Sequence, residues 1–183
     1  MPDLVSLLPM LALLLAIGAF AGVIAGLLGV GGGIVLVPAF FYAFEHLGYA
    51  GPQLMQVCVA TSLATIIVTS LRSVMAHSRK GAVDWALLRS WAPFIVAGAV
   101  AGVLVAAQLK SVGLQVVFAV LALIAGLYLS FGRTEWRLGA EVPGQPLRGV
   151  YATVLGFFSA MMGIGGGTFG VPLMTLYGVP IHR

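Results

Sequence analysis

Apolar residues run through this chain in long blocks, and polar residues are confined to the short stretches between them. Such blocks predict membrane-spanning helices, because about twenty apolar residues in a helix cover the roughly 30 Å hydrocarbon core of a bilayer. The predicted helices cover about residues 4–28, 34–47, 54–71, 91–109 and 112–131, and a sixth block begins at 149. The block at 34–47 gives only about 21 Å of helix, so one of its ends is expected inside the bilayer.

The composition agrees with membrane-spanning helices and reduces the number of functional classes to consider. Hydrophobic residues make up 61% of the chain and charged residues 8%, against about 25% charged in soluble domains. The five acids lie at or beyond the ends of the apolar blocks, and the three histidines have no metal-ligand spacing. We therefore predict an all-α polytopic membrane protein with no enzymatic activity, metal or cofactor, whose partners are the lipid bilayer and a small solute rather than nucleic acid.

The basic residues predict the orientation of the helices. Two connections carry most of them, while the stretch 48–53 and the N-terminus carry none and the turn at Lys110 carries one. Because cytoplasmic loops are enriched in Lys and Arg, both basic connections are expected in the cytoplasm and the N-terminus outside. The residues concerned are Arg72, Arg79, Lys80, Arg89, Arg133, Arg137 and Arg148.

One glycine-rich motif occurs twice. The sequence Gly-Val-Gly-Gly-Gly at 29–33 returns as Gly-Ile-Gly-Gly-Gly 134 residues later, and a Val-Pro pair follows each copy. Residues 22–38 and 156–172 share seven identities in seventeen positions. Glycine is unfavourable in a helix interior, so each cluster predicts a break between two helices within apolar sequence.

The number of crossings between the two copies predicts their relative orientation. Five crossings separate them if 34–47 crosses the bilayer, and an odd number places the second copy upside down. If 34–47 is re-entrant, the copies are parallel and the basic connections fall on opposite sides, so we favour inverted repeats, which are typical of secondary transporters. The first repeat then covers 1–131, residues 132–148 form a cytoplasmic linker, and 149–183 begin the second repeat.

The two breaks also predict a binding site. A helix that restarts in a membrane has unpaired N–H groups and a positive dipole end, and glycine backbone allows an anion to approach closely. We hypothesise that both helix starts face one anion, with Thr61 and Ser62 as side-chain donors. The other predicted donors are Gly29, Gly31, Gly32, Gly33, Gly163, Gly165, Gly166, Gly167 and Thr168.

Two alternatives stay open at this site. The glycines could serve only tight helix crossing, and the hydroxyls could bond back to the preceding turn of their own helix. The position of Pro38 is also compatible with two different starts of the short helix predicted at 34–47. Either it begins after about Val35, or 34–37 is extended and the helix begins at Pro38.

Small residues recur at every fourth position ahead of both breaks, a spacing that lets membrane helices approach closely. We expect these positions, together with Gly98 and Gly102, to serve packing rather than binding. They are Gly18, Gly22 and Gly26 in the first copy and Ala152, Gly156 and Ala160 in the second.

Several of these motifs, taken in order, resemble the sulfite exporter TauE/SafE family of bacterial membrane proteins. They are the pattern G-x-x-A-G-x-x-G-x-G-G-G from Gly22 to Gly33, Ala60-Thr61-Ser62, His77, Gly81 and Asp84-Trp85, the second cluster at 163–167, and Tyr177-Gly178-Val179-Pro180-Ile181-His182-Arg183. The resemblance implies a multi-pass permease of the bacterial inner membrane with two related halves, and export of sulfite, an organosulfonate or a similar small anion.

The second half of this family continues past the position of Arg183, with a Gly-Thr-Ser segment that answers Ala60-Thr61-Ser62 and with further spans. We therefore expect the second repeat to be incomplete here. The predicted function is a small-anion permease. The alternatives are a non-transporting scaffold or assembly subunit, or an inactive transporter fragment, and a homo-oligomer stays open.

Overall fold

A computed structural model describes residues 4–28, 32–81, 83–131, 144, 147–168 and 170 of the 183-residue chain. Within these ranges the ordered elements are six α-helices and no strand, which confirms the all-α prediction. Of the predicted donors, Gly29 and Gly31 lie outside the described residues, as does most of the predicted linker. The helices are α1 (Leu4–Leu28), α2 (Gly33–His46), α3 (Leu54–Arg79), α4 (Trp85–Gln108), α5 (Ser111–Phe131) and α6 (Leu147–Met161).

Three of the described helices are long and apolar enough to cross a membrane: α3, α4 and the part of α5 from Ser111 to Tyr128. Large apolar side chains point outward from them, and Val112 and Leu123 are 70% and 63% exposed. Such surfaces are stable in lipid but not in water. The chain is a membrane protein.

Helices α3 and α4 are both longer than the apolar blocks that predicted them. α3 continues past Leu71 to Arg79, and α4 begins at Trp85 rather than at Trp91. Hydropathy marks the part of a helix that lies in lipid and not its whole length, so the polar turns were missed. The start of α4 is fixed by Asp84, whose carboxylate accepts hydrogen bonds from the N–H groups of Ala86 (3.0 Å) and Leu87 (2.9 Å).

The short helix α2 begins at Gly33, ahead of its proline. The Gly32 carbonyl accepts from the N–H of Leu36 at 2.9 Å, which closes the first turn. The extended alternative for residues 34–37 is therefore wrong, and the helix starts two residues before Val35. Pro38 lies in the second turn, where it removes the usual hydrogen bond to the Ile34 carbonyl without ending the helix.

Helices α4 and α6 form the most extensive helix pair in the described chain, and glycines lie at their contact. A Cβ at Gly98 would overlap the carbonyl oxygen of Thr153, and one at Gly102 would overlap that of Phe157. Both contacts advance by four residues in the same direction, so the two helices run parallel. Gly156 meets the Ile95 carbonyl in the same way, so the predicted packing role holds for Gly98, Gly102 and Gly156.

The glycines of the corresponding stripe on α1 do not lie against the backbone of another described helix. A Cβ at Gly18 or Gly22 would meet no described heavy atom within 4 Å. The packing expected there is therefore not observed within the part of the chain that the structure describes. Ala21, which neighbours them, is buried at 1% exposure and joins the core instead.

Two contacts place the connection before α3 and the turn between α4 and α5 on one side of the molecule. The Ser111 hydroxyl accepts from the N–H of Met55 at 3.2 Å, and the Gln56 side-chain amide donates to the Leu109 carbonyl. α3 starts on this side and α4 ends on it. The end of α3, with Arg79 and Lys80, therefore lies on the other side. This relative arrangement agrees with the predicted alternation of loops.

The apolar core surrounds α2. Val37 and Cys58 have no exposed surface, and Phe40 and Phe44 stack with ring centroids 5.9 Å apart. Met162 and Ile164, which follow α6, belong to the same buried cluster. The second glycine cluster is therefore packed against the short helix that follows the first.

Candidate functional site

The second break starts with a defined helix cap at Gly163. Its φ is 64°, a conformation that only glycine adopts readily. Its N–H donates to the Ala160 carbonyl at 3.1 Å, and the N–H of Ile164 donates to the Ser159 carbonyl at 2.9 Å. This pair of bonds is a Schellman motif, which satisfies the last carbonyls of α6 and ends the helix.

The two glycine clusters meet at this cap. A Cβ at Gly33 would overlap the Gly163 carbonyl oxygen and would lie 2.5 Å from the Ile164 Cα. A Cβ at Gly163 would lie 3.1 Å from the Val37 side chain and 3.1 Å from the Val59 carbonyl oxygen. The start of α2, the end of α6 and the N-terminal half of α3 therefore touch through backbone, and the absence of side chains at Gly33 and Gly163 permits it.

Ser62 joins this contact with a hydrogen bond. Its hydroxyl donates to the Gly163 carbonyl at 2.7 Å, and Ser62 has no exposed surface. This bond joins residues 101 positions apart and links α3 to the second break. The donor that the sequence assigned to an anion is thus engaged with protein backbone.

The neighbouring hydroxyls of α3 bond within their own helix. Thr61 donates to the Val57 carbonyl at 2.8 Å, Thr65 to Thr61 at 2.9 Å, and Thr69 to Thr65 at 3.1 Å. This is the back-bonding arrangement open to Thr in membrane helices. Thr61 and Ser62 are adjacent in sequence, but only Ser62 reaches the break.

The meeting point lies near the middle of the apolar part of α3. Ser62 is eight residues from Leu54 and nine from Leu71, or about 12 Å and 14 Å of helix. Those lengths are close to half of the roughly 30 Å hydrocarbon core. The junction of the two breaks therefore lies near the middle of this apolar stretch.

The remaining members of the second cluster are more open than Gly163. A Cβ at Gly165 or Gly166 would have ordinary contacts at 3.6 Å, and one at Gly167 would meet no described atom within 4 Å. The chain turns back into helix there, where the Gly166 carbonyl accepts from the N–H of Gly170 at 2.7 Å. Thr168 is buried at 3% exposure beside this turn.

The junction brings together helix ends of opposite polarity. The carbonyls of Ser159, Ala160 and Gly163 accept hydrogen bonds from the cap and from Ser62. The start of α2 brings its positive dipole end and first-turn N–H groups to the same place as the negative dipole end of α6. No group of His, Cys, Asp or Glu that could hold a metal ion occurs among the described residues.

Val37 and Val59, which enclose Gly163, were not predicted as members of this region. Val37 belongs to the Val-Pro pair that follows both glycine clusters, so its repetition was the available signal. No sequence signal marks Val59, since it is one of many apolar residues of α3. Only the packing identifies it.

Nearly the whole chain is similar to known membrane proteins. A family model described as "Sulfite exporter TauE/SafE" matches residues 14–183. A Haemophilus influenzae protein described as "Probable membrane transporter protein" is 30% identical over 173 residues, which cover 93% of this chain and 65% of that protein. No solved structure matches.

Two other relatives carry similar descriptions. A Methanocaldococcus jannaschii protein, also described as a "Probable membrane transporter protein", is 24% identical over 175 residues, or 95% of this chain and 65% of its own. The Bacillus subtilis protein YunE, described in the same words, is 29% identical over 185 residues, or 90% and 67%. The chain spans about two thirds of the length of these relatives.

Proposed function

Because the chain belongs to the sulfite exporter TauE/SafE family, we propose that it acts as a membrane transporter of a small anion such as sulfite or an organosulfonate. The observation that carries the proposal is the junction of Gly33, Ser62 and Gly163, where two helix breaks meet beside the apolar part of α3. Secondary transporters bind their substrates at such interrupted helices near the bilayer midplane.

Different glycines have different roles in this proposal. Gly33 and Gly163 are enclosed by backbone and hold the two breaks together. Gly165, Gly166 and Gly167 leave space beside their backbone, and an anion can approach N–H groups there without meeting a Cβ. We assign the enclosed pair to the framework and the open three, with Thr168, to the substrate. Gly32 closes the first turn of α2 and belongs with the framework.

Uncharged hydrogen-bond donors suit a transported anion, because the site has to release the anion as well as bind it. The nearest basic residue along α3 is Arg72, ten residues past Ser62, so no full positive charge in that helix holds the substrate at mid-depth. Backbone N–H groups and a helix dipole provide attraction of a few kcal/mol or less. Weak attraction permits rapid release, as transport requires.

The proposal includes the arrangement of the chain in the bacterial inner membrane. The N-terminus lies outside, both basic connections lie in the cytoplasm, and the two repeats have opposite orientations. The parallel α4–α6 pair supports one part of this topology, the successive crossings of α4, α5 and α6 in alternating directions.

Uptake into proteoliposomes tests the function. The purified protein is reconstituted, and entry of ³⁵S-sulfite is followed in an alkaline buffer, with protein-free liposomes as the blank. We expect saturable uptake that excess methanesulfonate or sulfoacetate inhibits and that choline does not. Correctly inserted protein with uptake equal to the blank for every anion would contradict the proposal and favour the scaffold or the inactive-fragment alternative.

A further inference from the structure

The cytoplasmic end of α3 extends beyond the membrane core. The helix continues for eight residues after Leu71, to Arg79. Ten residues of helix, or about 15 Å, separate Ser62 at mid-depth from Arg72, so Arg72 lies at the edge of a hydrocarbon core of about 30 Å. Residues 72–79 therefore occupy the depth of the lipid headgroups.

This extension keeps an apolar stripe on its surface. Leu71, Val74 and Met75 are spaced so that they share one face of the helix, and they are 61%, 39% and 52% exposed. The stripe continues the exposed apolar surface of the membrane-embedded part, where Ile67 is 61% exposed. Acyl chains can therefore follow α3 up to Met75.

Basic side chains border that stripe. Arg72 and Arg79 are seven residues apart, which places them on one face of the helix about 10.5 Å apart along its axis. That face adjoins the apolar stripe, and both arginines and Lys80 are exposed. An apolar face flanked by basic residues is the pattern of helices that lie at an anionic membrane surface.

The acid of the connection between α3 and α4 does not cancel the charge at the arginines. Asp84 is the only acid between residues 72 and 89. Its carboxylate accepts hydrogen bonds from the Ala86 and Leu87 N–H groups at the start of α4. The end of α3 therefore presents net positive charge at headgroup depth.

We propose that Leu71–Lys80 bind the headgroup of an anionic phospholipid. The guanidinium groups of Arg72 and Arg79 contact its phosphate, while Leu71, Val74 and Met75 contact the acyl chains. Guanidinium groups bind phosphate in a bidentate manner, and their aliphatic stems pack on apolar surface. This interaction is separate from the proposed transport function.

Lipid titration tests the proposal on the purified chain in detergent. Binding of short-chain phosphatidylglycerol is compared with that of phosphatidylcholine by native mass spectrometry. Removal of one basic residue near a membrane surface weakens attraction by about 1 kcal/mol, or about fivefold. We expect R72Q/R79Q to bind phosphatidylglycerol about 25-fold more weakly and to bind phosphatidylcholine as the unaltered protein does.

Two further variants and one soluble competitor separate the explanations. K110Q removes an exposed basic residue on the opposite side and should leave both affinities within twofold. R72K/R79K keeps the charge without the bidentate geometry and should bind phosphatidylglycerol with an affinity between those of the unaltered protein and R72Q/R79Q. Glycerol phosphate, which has the headgroup chemistry without acyl chains, should not compete at equal concentration. The proposal is overturned if K110Q weakens binding as much as R72Q/R79Q, if R72Q/R79Q has no effect, or if glycerol phosphate displaces the lipid.

Discussion

At the scale of single residues, the hydroxyls of Thr61 and Ser62 have different roles, although the two residues are neighbours in α3. Thr61 bonds to Val57, one turn back in its own helix, while Ser62 reaches Gly163 across the molecule. A hydroxyl that bonds to its own helix adds little to tertiary stability, because the same bond forms in the isolated helix. The bond made by Ser62 exists only when the two breaks meet.

Replacement of Ser62 by Ala should therefore destabilise the folded protein. Interhelical hydrogen bonds in membranes contribute about 0.6 kcal/mol on average and up to about 1.7 kcal/mol. We expect S62A to lower the free energy of unfolding by that amount, measured by thermal unfolding in detergent. T69A, which removes a hydroxyl bonded within α3, is the matched control and should have a smaller effect. Equal losses for both variants would contradict the cross-helix role of Ser62.

At the scale of helices, the contact of α4 with α6 shows how small residues set a crossing. Gly98, Gly102 and Gly156 face backbone carbonyls of the partner helix, so the axes approach more closely than side chains would allow. Gly126 of α5 is also a helix-interior glycine, but a Cβ there would meet no described atom within 4 Å.

Single methyl groups should distinguish these glycines. G98A or G102A should destabilise the protein by about 1 to 3 kcal/mol, because the helices must separate to accept the Cβ. G126A should leave stability unchanged or raise it slightly, since alanine is the better helix former. Unfolding in detergent monitored by circular dichroism gives the comparison. Equal stability of G98A and G126A would show that α4 and α6 do not pack as closely as described.

Hydropathy and glycine spacing predicted the helices and their contacts to different extents. The apolar blocks predicted the membrane spans, and the duplicated glycines predicted the positions of both helix breaks. The ends of α3 at Arg79 and of α4 at Trp85 were missed, since a helix can continue through polar sequence in the headgroup region. The choice between Thr61 and Ser62, or between Gly163 and Gly167, depends on three-dimensional neighbours that periodicity does not encode.

At the scale of the whole molecule, the chain has two sides with different charge. The contacts of Met55 with Ser111 and of Gln56 with Leu109 place the connection before α3 and the turn at Lys110 together. The end of α3, with Arg79 and Lys80, lies opposite. From the positive-inside rule we propose that the basic side faces the cytoplasm.

Labelling of introduced cysteines tests this arrangement in cells. G51C and K110C should react with a membrane-impermeant maleimide added outside, and S78C should react only after the membrane is opened. Cys58 has no exposed surface, so the unaltered protein provides the unlabelled background. Labelling of S78C from outside, or of G51C and K110C from different sides, would refute the topology.

We propose that substrate approaches open glycine backbone at the junction of the two breaks. G167A tests this approach, because a Cβ at Gly167 meets no described atom within 4 Å and should leave the fold intact. We predict that ³⁵S-sulfite uptake by G167A proteoliposomes falls at least about tenfold, equivalent to about 1.4 kcal/mol, while G126A transports at the unaltered rate. Unaltered uptake by folded G167A would contradict the claim, and so would equal losses in both variants.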